Sequence, residues 1–128
     1  VEQGRDRLAI GLNVIVFPEG TRVAPGQRKR YGLGGAMLSV ATDTPILPVA
    51  HNAGDCWPRN AFVKLPGEVV ISFGPVIEPL GRSAQAVSDE TERWIERERI
   101  RRTCEPEMLA QRAQEMTELF SHRTTGTL

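Results

Sequence analysis

Residues 13–50 read NVIVFPEGTRVAPGQRKRYGLGGAMLSVATDTPILPVA, and three hydrophobic patterns in this stretch predict the fold. Asn13–Phe17 is a short apolar run of branched residues that ends at Pro18, as is typical of a strand buried on both faces. Apolar residues then recur at helical spacing from Leu33 to Thr42, and Pro45–Ala50 has the composition of a second buried strand. This order predicts a parallel β-α-β unit with a right-handed crossover.

The flanking segments predict further elements of an α/β protein. Residues 1–12 show a weak helical pattern, and residues 61–73 predict a β-hairpin that turns at Pro66-Gly67. Residues 83–104 are dense in Glu and Arg around one apolar stripe, which predicts an amphipathic helix. A second helical stripe follows Pro106 and precedes a frayed end.

Composition indicates one folded domain and excludes several function classes. The 128 residues include 25% charged residues, with sixteen basic and sixteen acidic, so overall charge does not support nucleic-acid binding. The longest apolar run, Val14–Phe17, is too short for a transmembrane helix, and we expect no secretory signal. Cys56 and Cys104 are expected to be free thiols in a reducing compartment.

A basic loop is predicted at residues 18–32, where Gly and Pro prevent a regular element. No acidic residue occurs from Gly20 to Thr42. Four cations lie within that window: Arg22, Arg28, Lys29 and Arg30. Gly20 lets backbone N–H groups approach a ligand, and Arg22 offers a planar fork for phosphate oxygens. Because the next helix can add its N-terminal amides and the loop leaves the carboxyl end of a strand, we predict a phosphate site here.

Other interpretations of this loop stay open. A solvated basic loop after an ordinary strand would have the same charge pattern. Glu19 serves either as an ion-pair partner that holds the loop or as an acceptor for a hydroxyl beside the phosphate. Nucleotide binding is unsupported, because neither nucleotide motif fits. Pro25 stands five positions after Gly20, where a P-loop has its second glycine, and Met37 occupies the place of the third glycine of a dinucleotide motif.

Several segments together resemble the glycerolipid acyltransferases, specifically the bacterial 1-acylglycerol-3-phosphate acyltransferases. They are FPEGTR at 17–22 with the basic stretch after it, the GGA helix start at 34–36, ILPVAHNAG at 46–54, WPRNAF at 57–62 and ISFGPVI at 71–77. The resemblance covers about residues 1–100. It implies a partial glycerolipid-acyltransferase-like α/β fold, a mixed sheet with flanking helices and a helical C-terminal tail. Residues 1–104 would be the C-terminal half of an acyltransferase domain, and residues 105–128 a helical tail with a frayed end.

The same resemblance implies roles for individual residues. The lysophosphatidate-binding residues would be Glu19, Gly20, Thr21, Arg22, Lys29 and Arg30. Pro48 with Val49 would lie near the acyl pocket, and Gly32 stands where family members commonly have Lys. No metal or resident cofactor is implied, and the acyl donor would be acyl-CoA or acyl carrier protein.

The family's catalytic base is not found by motif. In the family's H-x4-D block, a His deprotonates the acceptor hydroxyl and the Asp orients the imidazole. Five residues after His51 stands Cys56, with Asp55 one position short, and five residues after His122 stands Thr127. We therefore assign no catalytic residue and expect His51 to cap or line the core. The chain is expected to be the C-terminal half of an acyltransferase, with an exposed sheet edge and apolar helix faces.

These observations favour acyl transfer to lysophosphatidate, giving phosphatidate, with this chain supplying the phosphate-binding half. By the resemblance, we expect a peripheral protein at the cytoplasmic face of a membrane, with no nucleic-acid partner. A second hypothesis is a non-catalytic module that binds lipid phosphate or a partner chain. A third is a non-functional remnant that aggregates through its sheet edge.

Overall fold

The computed structural model describes residues 1–102, together with residues 111, 114, 117 and 118. The helices of this part are α1 (Glu2–Ala9), α2 (Gly34–Thr42), α3 (Ala53–Cys56) and α4 (Ala84–Arg102), and its strands are β1 (Val49–His51) and β2 (Ile71–Phe73). Cys104, His122 and the rest of the predicted tail lie outside the described residues, apart from those four positions. Cys56 is a free, half-buried thiol.

Three predicted helices are confirmed, and each has an identifiable structural support. At the start of α4, the Ser83 hydroxyl accepts a hydrogen bond from the Ala86 N–H at 3.2 Å, which caps the helix. At the end of α2, Asp43 adopts a left-handed conformation that stops the helix. α1 packs on α2, where the Leu38 side chain lies directly against Gly4. Local features end α2 and begin α4, whereas α1 is supported by its packing on α2.

The buried face of α2 differs from the predicted apolar stripe, which consists of Leu33, Ala36, Met37, Val40 and Ala41. Ala36, Leu38 and Ser39 are buried, whereas Met37 and Val40 are exposed. Leu38 turns inward because the absence of a side chain at Gly4 leaves room for it under α1.

The predicted parallel β-α-β unit is wrong, because residues 13–17 form no strand; β1 pairs instead with β2, and the pairing is antiparallel. Val49 lies opposite Phe73 and His51 opposite Ile71, and a bridge between Ile46 and Ile77 extends the pairing. The small sheet is therefore not the expected mixed sheet. Residues 13–17 are not a strand: Ile15 is 83% and Phe17 72% exposed, and no strand of the described part of the chain lies beside them.

The predicted hairpin across Pro66-Gly67 is also wrong, because residues 61–65 form no strand. The Leu65 N–H donates to the Cys56 carbonyl at 2.7 Å, so this segment folds back on the end of α3. The Asn52 side chain bonds the backbone of Glu68 and Val70 on the approach to β2. These contacts direct β2 toward β1 instead of toward residues 61–65.

The core lies where α2, α4 and the sheet meet. Ala36, Ile77 and Val87 form it, and Val87 is fully buried. Trp94 of α4 covers Gly74 next to Pro48, which joins the helix to the end of the sheet. α4 thus forms the support for both α2 and the loop that precedes it.

Candidate functional site

The basic loop, residues 18–32, is a closed loop built on two glycine turns. The Gly20 N–H donates to the Phe17 carbonyl at 3.0 Å, and Gly20 has φ 67. Pro25 and Gly26, with φ 78 at the glycine, form a turn of type II geometry. The Gly32 N–H donates to the Pro18 carbonyl at 2.8 Å and closes the base of the loop. The N–H of Gly20 is consequently used inside the turn.

Two contacts one helical turn apart hold the basic loop against α4. Arg28 Nη2 lies 2.6 Å from Glu92 Oε1, and the Tyr31 hydroxyl donates to Glu96 Oε1 at 3.1 Å. Glu96 also pairs with Arg99 through its other oxygen at 2.7 Å. The loop conformation therefore depends on this helix as well as on its own turns.

Electrostatics at these anchors keep the two loop side chains in their donor forms. Burial raises the pKa of Tyr31 well above its ordinary value, and the carboxylates of Glu19 and Glu96 raise it further. The hydrogen bond and charge of Glu92 raise the pKa of Arg28. Tyr31 therefore remains a protonated donor at neutral pH.

An open cleft of about 400 Å³ lies along the outer side of the basic loop. Among the described residues, its lining consists of Thr21, Arg22, Val23, Ala24, Gln27, Arg28, Lys29 and Arg59. Four of these carry a positive charge and none is acidic. Guanidinium and ammonium groups bind phosphate oxygens, so a cleft lined by four cationic residues suits a phosphate group.

Trp57 lies beside this cleft and contacts two cations. The Arg22 guanidinium carbon is 5.5 Å from the centre of the Trp57 ring, and Lys64 Nζ is 4.3 Å from it. Both distances fall within the range of cation–π attraction. The ring therefore restricts the position of Arg22 relative to the cleft.

Comparison with known proteins places this geometry in a family. The chain is 38% identical over 97 residues to the 1-acyl-sn-glycerol-3-phosphate acyltransferase of Pseudomonas aeruginosa. Its structure matches the crystal structure of the 1-acyl-sn-glycerophosphate (LPA) acyltransferase PlsC from Thermotoga maritima with a TM-score of 0.72 at 26% identity. The chain belongs to the 1-acylglycerol-3-phosphate acyltransferase family.

Each match covers only part of this chain and only part of the matched protein. The alignment with the Pseudomonas acyltransferase covers 73% of this chain and 38% of that protein, and the match with the Thermotoga acyltransferase covers 78% and 42%. The chain therefore spans less than half the length of either acyltransferase. No family model matches the chain. The structural match shows an acyltransferase fold over most of this chain.

The cleft of this acyltransferase-family chain contains only some of the residues predicted to bind lysophosphatidate. Thr21, Arg22 and Lys29 line it, whereas Glu19, Gly20 and Arg30 do not. Glu19 is half-buried in the first turn, where its charge acts on Tyr31, and Arg30 is exposed elsewhere on the loop. The first residues of α2 do not line the cleft either.

Two cations of the cleft, Arg28 and Arg59, were not among the residues assigned to lysophosphatidate, although Arg28 was counted in the predicted basic loop. Arg28 belongs to the run of cations but carried no assigned role, and the periodicity of α4 could not reveal its partner Glu92. Arg59 lies in WPRNAF, a segment that contributed to the family resemblance without a role. Only the fold brings residue 59 to a loop some thirty positions earlier, so sequence spacing carried no signal for it.

His51 does not line the core as expected, because it is exposed at the end of β1. Its Nδ1 accepts a hydrogen bond from the Ala53 N–H at 3.2 Å. Within the described range, we find no cluster of three or more His, Cys, Asp or Glu side chains suited to a metal ion. None of the described helices is long and apolar enough to cross a membrane.

Proposed function

We propose that this chain supplies the phosphate-binding part of an enzyme that acylates lysophosphatidate. The observation that carries the proposal is the cleft lined by Arg22, Arg28, Lys29 and Arg59 without an acidic residue. Lysophosphatidate carries a phosphate monoester, and a cluster of cations binds such a dianion more strongly than a neutral or singly charged headgroup. The family to which the chain belongs supports this choice of substrate.

The proposed reaction transfers an acyl group from a thioester of CoA or acyl carrier protein to the 2-hydroxyl of the acceptor. The hydroxyl oxygen attacks the thioester carbonyl, the C–S bond breaks, and the hydroxyl proton leaves through a base while the thiol departs. Arg22 and Lys29 bind the phosphate and so fix the glycerol end relative to the donor. Because the acceptor is a lipid, we propose that the chain acts at a membrane surface, as a peripheral protein of the cytoplasmic face.

The first experiment measures binding of short-chain lysophosphatidate to the chain by calorimetry. Arg22→Gln removes the planar fork and is expected to weaken binding about tenfold, as loss of a charge-assisted phosphate contact does. Arg5→Gln is the matched control, because Arg5 is exposed on α1 and does not line the cleft. If Arg22→Gln binds as tightly as Arg5→Gln, the assignment of this cleft to the phosphate fails.

A non-catalytic lipid-phosphate-binding module is the second candidate, because neither histidine of the chain is followed five positions later by an aspartate. An assay that combines the chain, acyl-CoA and lysophosphatidate tests the module directly. Formation of phosphatidate would reject the module, whereas saturable binding without product is expected both of the module and of a phosphate-binding part that lacks its base.

A further inference from the structure

We propose that Trp57 and Arg59 complete the anion cleft, with Arg59 as a further phosphate-binding residue and Trp57 as a positioning residue for Arg22. This inference rests on the proposed function, because it assigns new residues to the same phosphate site. Neither residue was assigned a role by the FPEGTR motif and its basic continuation.

The segment from α3 to residue 65 is folded so that it presents residues 57–59 to the basic loop. Gly54 packs on Pro25: a Cβ at Gly54 would lie 3.4 Å from Pro25 Cγ. After α3, the Ala61 N–H donates to the Pro58 carbonyl at 3.2 Å, and Asn60 adopts a left-handed conformation with φ 59. This tight turn and the packing on Pro25 fix residues 57–59 beside the cleft.

Arg59 differs from Arg28 in the availability of its charge. Arg28 is paired with Glu92 on α4, so part of its charge is already compensated. Arg59 makes no ion pair with a carboxylate of the described residues, and it is exposed along the cleft. Its donors are therefore available to an anion that enters between residue 59 and the basic loop.

Trp57 is too exposed to be a core residue, and its position suits contact with neighbouring side chains at the surface. Its side chain is 48% exposed, yet its ring contacts the cations of both Arg22 and Lys64. Attraction to the ring restricts the rotamers of Arg22, so less conformational entropy is lost when the guanidinium binds phosphate. Trp57 therefore acts on phosphate affinity through Arg22.

The test measures binding of glycerol 3-phosphate to the intact chain by calorimetry and by tryptophan fluorescence. Arg59→Gln is expected to weaken binding about five- to tenfold, with Arg5→Gln as the control that removes one exposed charge outside the cleft. Trp57→Leu is expected to weaken binding about threefold, whereas Trp57→Phe, which keeps an aromatic ring, stays within about twofold of the wild type. Addition of glycerol 3-phosphate should change the emission of the wild type but not of Trp57→Phe, which retains Trp94.

A double-mutant cycle separates positioning from a direct or structural role. If Trp57 acts through Arg22, Trp57→Leu has no further effect on affinity in the Arg22→Gln background. An equal loss in both backgrounds would overturn the positioning role, and Arg59→Gln binding like Arg5→Gln would overturn the role of Arg59. Circular dichroism shows whether each variant is folded. If Trp57→Leu fails to fold, the affinity of Trp57→Phe and the emission change test the role of Trp57, and the affinity of Arg59→Gln tests the role of Arg59. If only Arg22→Gln binds more weakly than the wild type, the proposed function is retained and this inference is rejected. If Arg22→Gln binds as tightly as the wild type, both are rejected.

Discussion

Tyr31 is the residue at which the basic loop is held to the body of the molecule. Its ring is buried and its hydroxyl donates to Glu96, while the carboxylate of Glu19 lies close enough to affect its ionisation. Ionised tyrosinate in this place would be desolvated and would face two negative charges. The folded state therefore strongly prefers the protonated form.

This preference predicts a specific loss of stability in alkali. The pKa of Tyr31 is raised above its ordinary value of 10.0 in the folded chain, so the unfolded chain loses this proton first as pH increases. The stability contributed by protonated Tyr31 is fully present below about pH 9 and declines above about pH 10. Near pH 11 the free energy of unfolding is lower by about 1.4 kcal/mol. Urea unfolding of the wild type and Tyr31→Phe between pH 8 and 11 measures it.

Tyr31→Phe is the control for other groups that ionise in alkali. At pH 8 the variant is expected to be about 1 kcal/mol less stable, because Glu96 loses a donor. The difference between the two proteins should shrink as pH rises, since only the wild type has this tyrosine. A constant difference up to pH 11 would contradict the raised pKa.

At the scale of elements, α4 holds the basic loop through two glutamates in different surroundings. The pair of Arg28 and Glu92 is exposed on the arginine side, with 63% of that side chain accessible, whereas Glu96 is buried under Tyr31. Exposed ion pairs contribute little because water screens them, while a buried carboxylate depends on its partners. The two anchors therefore differ in strength although both contact the same loop.

The same substitution at both positions tests this difference. Glu96→Gln is expected to reduce the free energy of unfolding by about 2–3 kcal/mol, because it removes the carboxylate that binds Tyr31 and Arg99. Glu92→Gln is expected to cost less than about 1 kcal/mol, and raising the salt concentration should reduce that cost. Chemical denaturation of both variants at low and high salt measures these values. Equal costs at the two positions would show that burial of Glu96 does not matter.

The elements also show what the sequence could and could not predict. α2 and α4 were predictable because caps and helical periodicity are local properties of the chain. The partner of β2 was not, because Ile71–Phe73 suits any neighbouring strand and the choice of β1 depends on contacts of Asn52 and Leu65. The loop at residues 18–32 was predictable from its Gly and Pro content, but the arrival of Arg59 beside it depends on the turn after α3.

At the scale of the whole molecule, the sheet and α4 are joined at Gly74. A Cβ at this position would lie 2.6 Å from Cε2 of Trp94 and 2.8 Å from Cγ of Pro48, so only glycine fits. Gly74→Ala is expected to destabilise the chain by about 2 kcal/mol through overpacking. Gly34→Ala, at the open start of α2, is the control and is expected to stabilise it by about 0.5 kcal/mol. Thermal unfolding of both variants checks the two opposite signs.

The distance in sequence between the basic loop and its anchors has a consequence for biosynthesis. Arg28 and Glu92 are separated by 64 positions, and Tyr31 and Glu96 by 65. At about 5–20 residues per second, the ribosome adds the helix roughly 3–13 s after the loop. During that interval the loop lacks both of these anchors, so we expect the folded position of Arg28 and Tyr31 to form only after α4 has been synthesised and packed.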